Sequence, residues 1–306
     1  TLVSLLSISL LSGCFKKEVE SGTLSVVSTT GMIHNTVIEI GGKHINAINL
    51  MGPGVDPHLY TASEGDVTRL SKADVIFYNG LYLEAKLSDI LKKMGQKKPV
   101  IAVGETIPQE KLIATSEFGG LYDPHIWFSI PLWIEVTKSI EATLIKADPK
   151  NKEAYTKAAI NYRNKLKDLH EKLLSKTQTI PKQKRILITA HDAFGYFGQS
   201  YGFKVKGLQG LSAQSEAGTH DVKALADFIV KRQIPAIFVE SSISARKIKA
   251  VQAAVKAKGF AVEIGGELFS DAMGQEGTLE GSYIGMLSHN MNTIYNALMQ
   301  QYVHTK

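Results

Sequence analysis

DPKNKEAYTKAAINYRNKLKDLHEKLLSKTQ, residues 148–178, is the stretch on which the fold turns. Asp148-Pro149 reads as a helix start, with aspartate as N-cap and proline at the first helical position. Tyr155, Ala159, Tyr162, Leu166, Leu169 and Leu173 then recur at alternating steps of four and three, which lays one apolar stripe along a helix. No glycine or proline interrupts the run before Pro181. The spacing predicts one helix from Lys150 to Gln178, spanning about 40 Å at 1.5 Å per residue. Such a helix can join two lobes stiffly, or lie inside one large domain. Periodicity reports a buried face and not what buries it.

Outward from this helix, β-branched apolar runs alternate with helix-like stretches on both sides, the pattern of an α/β protein with parallel strands. Before it the strand candidates are Leu24 to Thr30, His44 to Met51, Val75 to Asn79 and Val100 to Val103. After it come Arg185 to Ala190, Phe203 to Leu208, Ala236 to Glu240 and Phe260 to Ile264. The parse is two (β/α)4-type lobes with parallel sheets, residues 24–147 and 181–306, joined by a rigid helix at 148–180.

The chain has 306 residues, enough to bury a sizeable core in one large or two medium domains. Its net charge of +6 comes from 35 Lys+Arg against 29 Asp+Glu, and the lysines are spread along helical segments without interleaved aromatics. That distribution suits solvated faces and excludes a nucleic-acid module, of which no motif is present. Cys14 is the only cysteine, so no internal disulfide forms. Residues 1–13 are uncharged and mostly apolar, and run into Leu11-Ser12-Gly13-Cys14. This resembles the truncated tail of a bacterial lipoprotein signal peptide, too short for a transmembrane helix. Cys14 is then a lipidation site, and residues 14–23 form a polar tether. The competing reading of a lone cysteine is a small buried hydrophobe.

Asp-Pro-His occurs twice, as Asp56-Pro57-His58-Leu59-Tyr60 and Asp123-Pro124-His125-Ile126-Trp127, each just before a helix-like start. Proline fixes φ, and the aspartate can hold a turn or accept a nearby N–H, so the loop aims the imidazole. Two such loops suggest one shared metal ion. His191 and Asp271 also follow apolar strands, and ligands in open α/β sheets bind beyond the carboxyl ends of the strands. Two of these residues come from each half, which sets the site between the lobes. Spacings of 67, 66 and 80 residues carry little information by themselves. Taken singly, each histidine equally suits a hydrogen-bonded structural role, and Asp271 suits a helix N-cap.

The strings around these residues resemble the TroA receptor family, metal-binding lipoproteins of bacterial ABC importers. The resemblance runs from about residue 25 to about residue 300. It includes Gly54-Val55-Asp56-Pro57-His58-Leu59-Tyr60, Phe77-Tyr78-Asn79-Gly80-Leu81, Asp123-Pro124-His125-Ile126-Trp127-Phe128, Val205-Lys206-Gly207-Leu208-Gln209-Gly210 and Ile237-Phe238-Val239-Glu240-Ser241-Ser242. It implies two α/β lobes bridged by a long helix, and four metal ligands at His58, His125, His191 and Asp271. Manganese-selective members commonly carry glutamate at the third position, whereas this chain has His191, as the zinc receptors do. Zinc receptors often carry a His-rich loop before the second ligand, yet Gly104 to Tyr122 contains no histidine. Three imidazoles and a carboxylate suit Zn2+ first, with Mn2+ and Fe2+ as alternatives.

The resemblance further implies a monomeric receptor outside the cytoplasmic membrane, in the periplasm or at the membrane's outer face. It would deliver the divalent metal to an ABC permease, and the membrane would hold it through a lipid on Cys14. Two rival classes are a zinc hydrolase and an adhesin with a structural metal. A catalytic zinc normally keeps one position open for water, and four protein ligands close it. Asp56, Asp123 and Glu240 are candidates to orient the ligand imidazoles, and Trp127 to shield the ion. His34, His44, His170, His220, His289 and His304 lie off the ligand positions. Glu216 and His220 read as part of a helix cap.

Overall fold

The computed structural model describes residues 22–115, 120–211 and 217–299. Cys14, Glu216 and His304 lie outside them. In the first half, β1 (Leu24–Ser28), α1 (Gly31–Gly41), β2 (Ile45–Asn49), α2 (Glu64–Lys72), β3 (Val75–Tyr78), α3 (Ser88–Gly95) and β4 (Val100–Ala102) alternate along the chain. Their strands form one parallel sheet in the order β2-β1-β3-β4. Helices α4 (Ile130–Ala147) and α5 (Lys152–Gln178) follow. The second half repeats the alternation with β5 (Ile186–His191), α6 (Gly195–Tyr201), β6 (Lys204–Gln209), α7 (Thr219–Arg232), β7 (Ala236–Glu240), α8 (Arg246–Ala257), β8 (Glu263–Leu268) and α9 (Tyr283–Met299). This is the expected α/β class with parallel sheets and a long central helix.

Helix α5 has 27 residues, and Tyr155, Ala159, Tyr162, Leu166, Leu169 and Leu173 are all buried. They lie against α4, α1, α9 and α6. That packing joins the inner faces of both sheets, represented by Val26 and Phe77 on one side and Leu187 and Phe238 on the other, in one continuous apolar core. Smaller clusters sit under α2 and α3, and under α7 and α8, on the outer faces. The helix therefore connects two sheets that already share a core. At about 2 kcal/mol per fully buried large apolar side chain, the stripe anchors it firmly.

Three local expectations change. Asp148 does not cap α5: Pro149–Asn151 form a 3-10 turn, and the Asp148 carboxylate accepts from Asn151 Nδ2 and Tyr155 Oη, both at 2.7 Å. A buried phenol needs a partner, and it takes this one. Strand β8 starts at Glu263, later than the Phe260 start that the sequence suggests, because Phe260 and Val262 pack into the outer core before the ladder begins. Its pairing with β7 slips by one residue between Ile237 and Val239, a bulge that falls at Gly265-Gly266. A Cβ at Gly265 would come within 2.6 Å of Ala297 Cβ, so the glycine lets α9 lie close against the strand.

The third change concerns the second sheet. It is two parallel ladders, β5-β6 and β7-β8. Strands β5 and β7 are neighbours without a ladder between them.

Candidate metal centre

Three of the candidate ligands follow or end a strand, and the fourth, His125, comes from the loop before α4. His58 lies in the loop between β2 and α2, and His191 is the last residue of β5. Asp271 follows β8, and His125 precedes the 3-10 turn Ile126–Phe128 that leads into α4. The two Asp-Pro-His loops share one device. Asp56 Oδ1 accepts the backbone N–H of His58 at 2.8 Å, and Asp123 Oδ1 accepts that of His125 at 2.9 Å. In both, the aspartate two residues upstream closes a turn and proline stiffens it, so the backbone that carries the imidazole is fixed locally.

His58, His125, His191 and Asp271 are brought together, each offering a ligand atom within 4.8 Å of the others. All four are buried, His58 least, at 5 % exposed. His58 Nε2 is 3.3 Å from His125 Nε2, His125 Nε2 is 3.3 Å from Asp271 Oδ1, and His191 Nε2 is 3.3 Å from Asp271 Oδ2. Four donors at zinc–nitrogen distances of about 2.0–2.1 Å, set tetrahedrally, stand about 3.3 Å apart. His191 Nε2 and Asp271 Oδ1 have no hydrogen bond of regular geometry among the described residues. Buried polar atoms are rarely left so, and a shared cation satisfies both.

The second ring nitrogens of His125 and His191 meet carboxylates. Asp123 Oδ1 lies 2.8 Å from His125 Nδ1, and Glu240 Oε2 lies 2.6 Å from His191 Nδ1. Of the three orienting candidates, these two take a ring each, while Asp56 holds the backbone of His58. Burial pushes His58 down to about 3, reinforced by the neighbouring imidazoles against the pull of Asp271, so its ring is neutral. For His125 and His191 burial also favours the neutral ring, but Asp123 and Glu240, together with Asp271, outweigh it and raise both. Burial opposes ionisation of Asp271, and the two imidazoles overcome it, holding the carboxyl well below its ordinary range. Burial and the charge of Asp271 raise Asp56.

Trp127 stands edge-on to His125, ring centroids 5.2 Å apart, and donates its indole N–H to the Ser270 carbonyl at 2.9 Å. It shields one flank of the site and ties the His125 loop to the Asp271 loop. Ser242 Oγ donates to Asp271 Oδ2 at 3.2 Å and lies 2.9 Å from Ser270 Oγ. Neither serine stands out in the sequence; the available signal is that Ser241-Ser242 directly follow the end of β7. The remaining described histidines serve elsewhere. His170 meets Tyr201, His44 stands edge-on to Tyr155, and His289 meets the Glu267 carbonyl. His220 is exposed in the first turn of α7, where Asp221 accepts the Gly218 N–H.

Comparison with known proteins bears on this geometry. Residues 26–297 match the family described as ZnuA, zinc-uptake complex component A periplasmic. The chain is 52% identical over 275 residues to the manganese-binding lipoprotein MntA of Bacillus subtilis, covering 90% of each. It is 47% identical over 283 residues to the zinc-binding protein TroA of Treponema pallidum, covering 92% of this chain and 91% of that protein. The solved structure of that periplasmic zinc-binding protein superposes with a TM-score of 0.89, over 91% of this chain and 100% of the other. The family description names a metal-uptake component, and further relatives at 32% identity are named metal or manganese ABC transporter substrate-binding lipoproteins, which sets the hydrolase aside. The chain belongs to this ZnuA family, the metal-binding substrate receptors of bacterial ABC transporters.

Proposed function

We propose that this protein is a monomeric extracytoplasmic receptor that captures one divalent transition metal at His58, His125, His191 and Asp271 and hands it to an ABC permease. Zn2+ is the preferred cargo, Mn2+ the next and Fe2+ a third. The observation that carries the reading is that three imidazoles and one carboxylate, all buried, bring ligand atoms within 4.8 Å of one another, with Nε2 contacts of 3.3 Å. Three nitrogens and one oxygen are a borderline donor set on which the general affinity order ranks zinc above manganese. The names of the relatives divide between the two metals, so similarity does not choose. Both oxygens of Asp271 face imidazoles, which leaves a fifth donor within reach of a larger ion.

A lipid on Cys14 holds the receptor beside the permease in this reading, outside the cytoplasmic membrane, and the family's lipoprotein names support it. No helix among the described residues is long and apolar enough to cross a membrane. Residues 24–147 and 181–306 act as the two lobes and 148–180 as their bridge.

The test is elemental analysis of protein purified without added metal, followed by competitive titration of zinc against manganese. One equivalent of metal in the wild type, zinc winning the competition, and loss of retention in His191→Ala are the expected results. Manganese winning at equal free concentration would reverse the assignment of cargo. A wild type that holds no transition metal would sink the receptor reading.

A further inference from the structure

The seam between β5 and β7 carries an inference about how the third ligand is set. At the point where a ladder would form, the side chain of Glu240, the last residue of β7, takes the place of a backbone partner. Its Oε1 accepts the N–H of Ala190 at 2.7 Å and that of His191 at 2.9 Å. Its Oε2 lies 2.6 Å from His191 Nδ1. One buried carboxylate thus accepts two backbone N–H groups from the terminal dipeptide of β5 and stands against a ring nitrogen of the same dipeptide. No arginine or lysine forms an ion pair with it among the described residues, so its fixed partners are these three groups.

We propose that Glu240 is a positioning residue for metal capture: it fixes His191 with the proton on Nδ1, so that Nε2 is the nitrogen offered to the cation. It closes the β5/β7 seam with the same carboxylate. The ring contact is short but off-axis, since neither His191 Nδ1 nor Glu240 Oε2 has a regular hydrogen bond. The two backbone bonds to Oε1 are regular, and they hold the carboxylate with Oε2 beside the ring. Asp123 serves His125 differently, from within the same tripeptide and two residues away. Glu240 reaches its histidine from 49 residues away, across a strand boundary. The orientation of His191 therefore depends on tertiary structure, whereas that of His125 is largely local.

The inference rests on the receptor reading, and its test separates the two. Full-length wild type, Glu240→Gln and Glu240→Asp are compared with zinc chloride as the probe, by competition against a chromophoric chelator. Nitrogen-15 NMR of the imidazoles reads the tautomer. Glutamine keeps a carbonyl oxygen for the Ala190 and His191 N–H groups but loses the anion facing Nδ1. The expected result is a zinc affinity 10- to 100-fold weaker in Glu240→Gln, with partial recovery in Glu240→Asp. Loaded wild type shows His191 bound through Nε2, with an Nδ1–H proton whose shift changes in the glutamine variant.

Equal affinity in wild type and Glu240→Gln overturns the proposal, as does loaded wild type bound through His191 Nδ1. The wild-type measurement stands even if a variant fails to fold. If wild type binds no metal the receptor reading falls. The positioning role is then judged on the metal-free protein, where it requires the Nδ1–H proton to be shifted by Glu240.

Discussion

Asp66 shows at the scale of one residue how burial and hydrogen bonding compete. It caps the start of α2, accepting from the Ser63 backbone N–H and hydroxyl and from Tyr60 Oη, while Arg69 pairs with it at 2.8 Å. Burial works to raise its pKa, but the hydrogen bonds from Ser63 and Tyr60 win and hold it near 2, against an ordinary 3.8. A carboxyl depressed in the folded state binds its proton more readily when unfolded, so its contribution is present above about pH 3.8 and is lost as pH falls toward 2. Acid-unfolding curves of wild type and Asp66→Asn should converge across that window and stay apart above it. A constant gap down to pH 2 would contradict the assignment. At the same scale the repeated Asp-Pro-His was legible in the sequence because all its geometry is local. The ring partners of His125 and His191 were not, since Asp56, Asp123 and Glu240 were equally eligible until their oxygens had positions.

At the scale of elements, α5 was readable almost to the residue, because a long uninterrupted 3.6-residue period has few other realisations. Its start was less so, because the Asp148 carboxylate bonds Asn151 and Tyr155 instead of a backbone amide. Truncating the middle of the stripe, Leu166→Ala, is expected to cost about 2–5 kcal/mol, the range for deleting a buried leucine side chain. Chemical denaturation of the metal-free protein measures it. A loss below about 0.5 kcal/mol, the level of an ordinary surface substitution, would mean that α5 is not held by this core. Strand β8 was misplaced for the opposite reason. Its two glycines lower its strand signal, and they are there because Ala297, Thr293 and Phe238 crowd that backbone.

For the whole molecule, the decisive feature is that one apolar core runs beneath both sheets and around α1, α4, α5 and α9. Helix α9 belongs to the second half by sequence yet returns to the first. Tyr283 Oη donates to the Trp127 carbonyl at 2.6 Å, its backbone N–H donates to Asn35 Oδ1 at 3.0 Å, and its ring stacks on Trp133. Opening the molecule like a hinge would expose that core, so loading and release should proceed by small tilts and loop shifts. Small-angle X-ray scattering is expected to give the same radius of gyration with and without zinc, while high-resolution structures differ at the ligand loops. A domain-scale change in the scattering curve would refute the shared core as a constraint. Identical cleft geometry in loaded and metal-free crystals would refute the loop shifts.

The sequence by itself determined the α/β alternation and the long helix, because periodicity is encoded within a few residues. Its family resemblance picked out the four side chains worth watching, where turn chemistry and strand-end position only suggested them. Tertiary structure decided the rest. It set the 3.3 Å spacing of the donors, assigned a carboxylate to each of two rings, placed Glu240 in the seam where a ladder would otherwise form, and fused the two halves through one core. Those features depend on distances between segments far apart in the chain, and such distances exist only once the chain has packed.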